Sequence, residues 1–313
     1  MKILITGIHG FVGSNLVAAL KGHNEIYGID IVAPEKEGVI RTFSWQDIDN
    51  GLLPEVDAII HLAGKAHDTK NKAAADVYFK INTGLTQKVY DYYLKSSATK
   101  FIFFSTAKAA ADRVVGEWLT EDVVPAPVGP YGESKIRAEE YILSHQPAEG
   151  KFVYILRPCM IHGPGNKGNL NLLYSVVRKG IPWPLGAFKN RRTFTSIDNL
   201  TYVIDCLLSQ SIDSGIYNMA DDETVSTNEL IKLICESLGK KPHVWYIDKG
   251  FITWCAKVGG ILHLPLNPDR LQKLTENYAA SNDKLKKAIG IDCMPLDAVE
   301  GLAKTLDSFK NKK

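Results

Sequence analysis

What the chain has little of narrows its function first. Its 313 residues hold five cysteines, an odd number, with no CxxC pair among them. Cys159, Cys206, Cys235, Cys255 and Cys293 fit neither a disulfide framework nor a zinc site, so a reducing cytoplasm and no metal are expected. An excess of charge of one sign is missing as well. The 37 Lys and Arg stand against 35 Asp and Glu, for a formal +2, which gives no footprint for nucleic acid. The only basic run, Lys310-Asn311-Lys312-Lys313, reads as a solvated end. No signal peptide is expected, because the first residues already read as a core strand. One apolar stretch, Phe251 to Leu266, is interrupted by Lys257, His263 and Pro265 and is too short to span a bilayer. It reads as a buried helix of a second lobe, with an interfacial helix as the alternative and no stable membrane insertion in either case.

What is present is concentrated in the first thirty residues. Met1 to Thr6 is an apolar strand, Gly7-Ile8-His9-Gly10-Phe11-Val12-Gly13 spaces three glycines three apart, and Ser14 to Lys21 continues with helical spacing. A second strand, Glu25 to Ile29, ends on Asp30. Strand, glycine turn, helix, strand and acid in that order form the βαβ unit that binds a dinucleotide. Gly7, Gly10 and Gly13 let backbone N–H groups approach a pyrophosphate at the positive end of the helix. Asp30 stands where a carboxylate accepts from the adenine ribose. It would repel a 2′-phosphate, and no Arg follows it directly, so NAD is expected over NADP; Lys36 and Arg41 lie close in sequence and qualify that preference.

Further strands are read at Val39–Phe43, at Val56 to Gly64 and at Lys100 to Thr106. Nearly continuous apolar strands separated by helices imply a parallel sheet covered on both faces. Ligands on such sheets gather at the carboxyl ends of the strands, where Thr6-Gly7, Asp30, Leu62-Ala63-Gly64 and Ser105-Thr106 all fall. Asp47-Ile48 could flank an adenine ring or form a surface turn. The spacing of Val77, Ile81, Leu85, Val89 and Tyr93 predicts one helix from Ala73 to Leu94, with Asn82 inside it as a candidate buried polar group. Tyr131 and Lys135 are four apart and share one face of a helix. An ammonium beside a phenol favours the phenolate, which can then exchange a proton with a sugar hydroxyl.

The stretches ITGIHGFVGSNL, IYGID, IIHLAG, INTG, FFSTAK, PYGESK, LRPCMIHGPG and RRTFTSIDNL resemble the extended short-chain dehydrogenase/reductase family, in its nucleotide-sugar epimerase and dehydratase branch. The resemblance implies a Rossmann doubly wound parallel sheet with a smaller, discontinuous C-terminal substrate lobe. It places residues 1–165 in the NAD-binding domain, returns about 193–220 to it, and gives most of 166–313 to the nucleotide sugar. It further implies that Gly7, Gly10, Phe11, Val12 and Gly13 hold the pyrophosphate and that Asp30 holds the ribose. Asp47, Ile48, Leu62, Ala63, Gly64 and Asn82 complete the cofactor site. Tyr131 is the implied acid/base, Lys135 the group that lowers its pKa and holds the nicotinamide ribose, and Thr106 the hydroxyl on the reacting oxygen. Asn169, Leu170 and Arg192 fall in segments that grip the nucleotide diphosphate.

Two departures from the family pattern, Lys108-Ala109-Ala110-Ala111 after Thr106 and His162 before Gly-Pro-Gly, bear on the sugar rather than the cofactor; His162 reads as a packing or substrate-contact residue. The expected activity is NAD-dependent UDP-sugar 4-epimerisation. A reductase of a UDP-4-keto-6-deoxy-N-acetylhexosamine shares the same half-reaction and is the alternative. A 4,6-dehydratase lacks its acid pair, since Ala107-Lys108 stands there. A catalytically silent dinucleotide sensor would have no use for Thr106, Tyr131 and Lys135 together. A homodimer is also implied.

Overall fold

The computed structural model describes residues 1–65, 74–166, 168–262 and 266–310. Seven strands form one parallel sheet: β1 (Lys2–Thr6), β2 (Glu25–Ile29), β3 (Arg41–Phe43), β4 (Ala58–His61), β5 (Lys100–Phe104), β6 (Phe152–Pro158) and, last in the chain, Gly215–Met219. Between them in sequence lie β7 (Met160–His162) and β8 (Phe194–Ser196), a separate parallel pair, so the closing strand is β9. The order across the sheet is β3-β2-β1-β4-β5-β6-β9. The chain therefore reverses direction between β1 and β4, and a crevice opens at the carboxyl ends there. This is the α/β Rossmann architecture expected from the alternation of apolar strands and helices.

The pleat explains the core. Successive residues of a strand face opposite sides of the sheet. Ile3, Ile5, Ile60, Ile102 and Phe104 join one cluster, under the helices Phe11–Leu20 and Ile197–Ser209. Leu4, Ile59, Phe101, Phe103 and Ile155 join the opposite one, under Leu85–Lys95 and Pro130–Ser144. A further cluster gathers Leu170, Tyr174, Trp183, Ile231, Leu302 and Phe309. Leu285, Ile289 and Met294 pack into the first sheet cluster, although they lie deep in the segment that the sequence assigns to the second lobe.

Two helices differ from expectation. The start of the Ala73–Leu94 helix at Ala73 lies outside the described residues. From there the chain is helical over Ala75–Tyr78, widens into a π-helical turn at Phe79–Gly84, and resumes over Leu85–Lys95. The buried face runs through Tyr78, Asn82, Thr86, Val89 and Tyr93, so up to the wide turn it lies one residue later than the expected Val77, Ile81 and Leu85, and Val77 is exposed. π-turns collect at functional sites, and Asn82 sits in this one. The Phe251–Leu266 stretch is a helix over Lys249–Ile261 that buries only Ile252, Ala256 and Gly259; residues 263–265 lie outside the described residues, as do 311–313 of the basic tail. No described helix is long and apolar enough to cross a membrane.

Candidate active site

The glycine turn follows from close packing. Gly7 has φ of +70°, and a Cβ there would lie 3.0 Å from the Ala63 amide nitrogen. A Cβ on Gly13 would lie 2.5 Å from the Gly7 carbonyl oxygen, an overlap no small shift relieves. The following helix starts at Phe11 with no side-chain cap on Gly10 and no acid in its first turn. Its first N–H groups have no intrahelical partner, so the turn presents donors and positive dipole to an anion. That fits a dinucleotide pyrophosphate. Phe11 and Val12 stand on this turn, half-buried.

Asp30, at the end of β2, accepts from His9 N at 2.9 Å and Ile31 N at 2.7 Å. Lys36 reaches back over the turn, donating to the Ile8 carbonyl at 3.0 Å and to Ser14 Oγ at 2.7 Å. Burial holds its pKa below the ordinary lysine value, and the Asp30 carboxylate opposes that shift. Arg41 instead lies over the Phe43 ring, at 4.5 Å. Asp47 has a local task the sequence reading did not assign. Its Oδ2 accepts from Ser44 N at 2.7 Å and Ser44 Oγ at 2.9 Å, closing a capping box on Trp45–Asp49. Ile48 packs against the sheet cluster.

Thr106 ends the run out of β5, caps the short helix Ala107–Ala110, and hydrogen-bonds the Tyr131 side chain. Tyr131 occupies the first turn of Pro130–Ser144, where Pro130 at the start has no N–H to lose. Its ring meets Tyr78 edge-on, with centroids 6.5 Å apart. Burial raises the phenol's pKa, and the Thr106 hydrogen bond pulls it the other way. The lowering expected from Lys135 is therefore not what the protein's own groups produce. Lys135, one turn further on, donates to the Phe104 carbonyl at 2.8 Å and lies 4.8 Å from the Phe103 ring centre. Burial lowers its pKa to about 8, with Glu139 opposing. A Cβ on Gly64 would come within 3.2 Å of Lys135 Nζ, so the ends of β4 and β5 and this helix converge on one place.

Asn82 is fully buried and saturated: it accepts from Lys65 N at 2.7 Å and donates to Ser134 Oγ at 2.9 Å and to the Lys65 carbonyl at 3.2 Å. It thus ties the β4 end to the helix Pro130–Ser144. A polar thread the sequence reading missed runs on from it. Thr86 Oγ donates to the Asn82 carbonyl at 2.6 Å and lies 2.9 Å from His61 Nε2, while His61 Nδ1 is 2.7 Å from Thr6 Oγ. Since the Thr86 proton goes to Asn82, Nε2 carries the ring proton and Nδ1 accepts from Thr6. Burial depresses the His61 pKa to about 3, and the charge of Lys135 adds to the effect. Stability from neutral His61 is thus fully present above the unfolded pKa of about 6.5 and declines as pH falls towards 3, by up to about 1.4 kcal/mol per pH unit. Urea unfolding from neutral to mildly acidic pH should show this slope, and His61→Gln should remove it.

The ion pair of Glu139 with Arg157 was missed too, as was the bond to it from Ser105, which the sequence placed only at the strand's carboxyl end. Arg157 on β6 donates from Nη2 to Glu139 at 2.6 Å and from Nε to both of its oxygens at 3.1 Å, with both side chains buried. Ser105 Oγ donates to the same carboxylate. The available signal was spacing, because Glu139 follows Lys135 by four on the same helix.

Two of the three expected diphosphate residues are engaged elsewhere through their side chains. Asn169 is exposed at the start of Asn169–Arg178, but the Leu170 side chain belongs to the core and cannot contact a ligand; only its backbone could. Arg192 donates to the Lys273 carbonyl at 3.1 Å and feels Tyr278, which itself bonds the Ala111 carbonyl at 2.8 Å. That chain of contacts leads back to the Thr106 segment. His162 is a packing residue, fully buried, 2.9 Å from Thr305 Oγ and 3.4 Å from Asp221. No group of three metal-ligating side chains occurs among the described residues.

A switch-point crevice with an uncapped glycine turn, and a tyrosine and lysine at the end of β5, define a nicotinamide-dinucleotide enzyme. The chain belongs to the NAD dependent epimerase/dehydratase family, whose model matches residues 3–220. A UDP-glucose 4-epimerase of Vibrio cholerae is 29% identical, over 98% of this chain and 95% of that protein. The N-acetyl-alpha-D-glucosaminyl-diphospho-ditrans,octacis-undecaprenol 4-epimerase of Escherichia coli O157:H7 is 25% identical, over 91% of this chain and 85% of that protein. Among solved structures, a UDP-glucuronic acid 4-epimerase from Bacillus cereus in complex with NAD superposes with a TM-score of 0.75. It is 22% identical, over 99% of both chains. The protein is thus an NAD-dependent enzyme of the nucleotide-sugar epimerase/dehydratase type.

Proposed function

We propose that the protein is a UDP-sugar 4-epimerase. The observation that carries this is the hydrogen bond joining Thr106 to Tyr131 at the end of β5, with Lys135 one helical turn behind. Tyr131 takes the proton from the sugar O4 and later returns it, Thr106 steadies that oxygen, and Lys135 orients the nicotinamide ribose. NAD, when bound, would supply the reversible hydride acceptor for the sugar C4 that this proton transfer requires. Gly7, Gly10, Phe11, Val12 and Gly13 hold its pyrophosphate. Asp30 would take the ribose hydroxyls, Asp47 and Ile48 would flank the adenine, and Leu62, Ala63, Gly64 and Asn82 would complete the cofactor site. The backbone at Asn169 and Leu170, with the Arg192 guanidinium, would hold the sugar's diphosphate. A 4,6-dehydratase is disfavoured, because Ala107 is buried and Lys108 is paired with Asp112 at 3.1 Å, leaving no acid next to Thr106. Division into a lobe at 1–165 with 193–220 and a lobe in 166–313, a homodimer, and a cytoplasmic location suited to five free thiols belong to the same proposal.

Purified protein incubated with UDP-glucose or UDP-N-acetylglucosamine, without added coenzyme, should form the 4-epimer. No interconversion, together with NADH consumption on a UDP-4-keto-6-deoxy sugar, would show a reductase instead. A second reading rests on the exposed aromatic helix Lys249–Ile261 and on the relative that acts on a lipid-linked sugar diphosphate. In it the sugar diphosphate is carried by a polyprenol, and turnover is seen only with that substrate.

A further inference from the structure

We infer that the outer face of the helix Lys249–Ile261 docks on an anionic phospholipid bilayer. An ordinary surface helix is apolar inward and polar outward. This one is apolar on both sides. Ile252, Ala256 and Gly259 face the core, while Trp254, Val258 and Ile261, spaced four and three apart, run along the opposite side with Phe251 beside them. Phe251, Trp254 and Ile261 are 55%, 60% and 77% exposed, and the Phe251 and Trp254 rings stack on the surface with centroids 6.1 Å apart. Trp245 and Tyr246, just before the helix, are exposed as well. Contiguous apolar surface of this kind marks a contact site, and Trp and Tyr favour the membrane–water boundary.

Charge selects the occupant. Between Gly239 and Leu262 stand Lys240, Lys241, Lys249 and Lys257 against one acid, Asp248. Asp248 is spent capping the helix, accepting from Phe251 N at 2.9 Å. Four positive charges less one give +3 in this segment, more than the +2 of the whole chain. All four lysines are exposed, and the helix itself carries no carboxylate. Lys240 donates to the Arg178 carbonyl at 2.6 Å and Lys249 lies 5.7 Å from the Phe188 ring centre, but all four charges stay at the surface, and exposed aromatic and aliphatic side chains among them match an acyl boundary under anionic headgroups. A second copy of the same basic face would repel this one. The helix is 13 residues long, so it lies on the surface and does not cross it.

The test is co-sedimentation of the full chain with vesicles of phosphatidylglycerol and phosphatidylcholine in equal parts, against pure phosphatidylcholine. The wild type should sediment with the anionic vesicles and be released by salt. The Phe251→Ser/Trp254→Ser variant should bind at least about tenfold more weakly. Lys249→Gln/Lys257→Gln should lose roughly fivefold per charge at low salt and keep its weaker attachment to neutral vesicles. Both variants change exposed side chains, and their near-UV circular dichroism should match the wild type. Wild type that stays in the supernatant, or an aromatic variant that binds as well as wild type, overturns the inference. So does a dimer by sedimentation equilibrium that the aromatic substitutions dissolve, because the face would then be a subunit interface. None of these outcomes depends on which sugar the active site turns over.

Discussion

Tyr131→Phe should lower kcat by roughly 10²- to 10⁴-fold, the span by which a positioned acid/base accelerates proton transfer. The substitution removes one oxygen and leaves the ring, its edge-on contact with Tyr78 and the packing of Pro130–Ser144 in place. Stability and coenzyme content should therefore stay near wild type while turnover collapses. The pH profile separates a chemical role from a structural one. Burial raises the phenol's pKa, and the Thr106 hydrogen bond only partly offsets it. The base form then becomes more abundant as pH rises, so kcat/KM should climb with pH in the wild type. Tyr131→Phe should lack that rising limb. Unchanged turnover in this variant would remove Tyr131 from the chemistry, whatever the fold.

The second large effect is on stability. Glu139→Gln should destabilise the protein by about 3–5 kcal/mol, the usual cost of leaving one member of a buried ion pair alone. Arg157 has nowhere to turn, because it is 2% exposed and its Nη1 already lacks a hydrogen-bond partner. Ser105 would lose its charged acceptor as well. Replacing both members together, as Glu139→Leu/Arg157→Leu, should cost much less, since two apolar groups leave no uncompensated charge. Denaturant unfolding of Glu139→Leu, Arg157→Leu and their double variant closes the double-mutant cycle, and a single-variant loss near zero would refute the pairing. The same change should carry over to function. Glu139 is the charge that opposes the burial-driven fall of the Lys135 pKa, so its neutralisation should move Lys135 lower still.

The cofactor half of this protein was legible in the sequence because its parts are neighbours along the chain. Gly7 to Gly13 and Asp30 lie on one strand–turn–helix–strand unit, and local sterics and hydrogen bonding shape such a unit before any distant contact is made. Tyr131 and Lys135 were legible for the same reason, being one helical turn apart. Legibility ended where a residue's role depends on partners far away in the chain. Asn82 was suspected of a buried task, but its partners, Lys65 and Ser134, lie 17 and 52 residues away. His61 gained its neutral state from burial that no local pattern announces and from the charge of the distant Lys135, and its ring orientation from Thr6, 55 residues back. Leu170 and Arg192 sit in recognisable motifs, yet packing sent one side chain into the core and the other towards Lys273.

The apolar stretch around Trp254 shows the division most plainly. Hydrophobicity along the chain established a helix there and ruled out a membrane span. It left open which side of that helix would be covered. The fold covers Ile252, Ala256 and Gly259 and leaves Trp254 and Ile261 in the open. Sequence by itself therefore determined the strands and helix of the first βαβ unit and the residue types at the cofactor turn, because these follow from neighbouring residues. Only the tertiary structure decided which polar groups are sealed from water, which charges are paired and which apolar face is exposed, because burial is a property of what the rest of the chain packs against a residue.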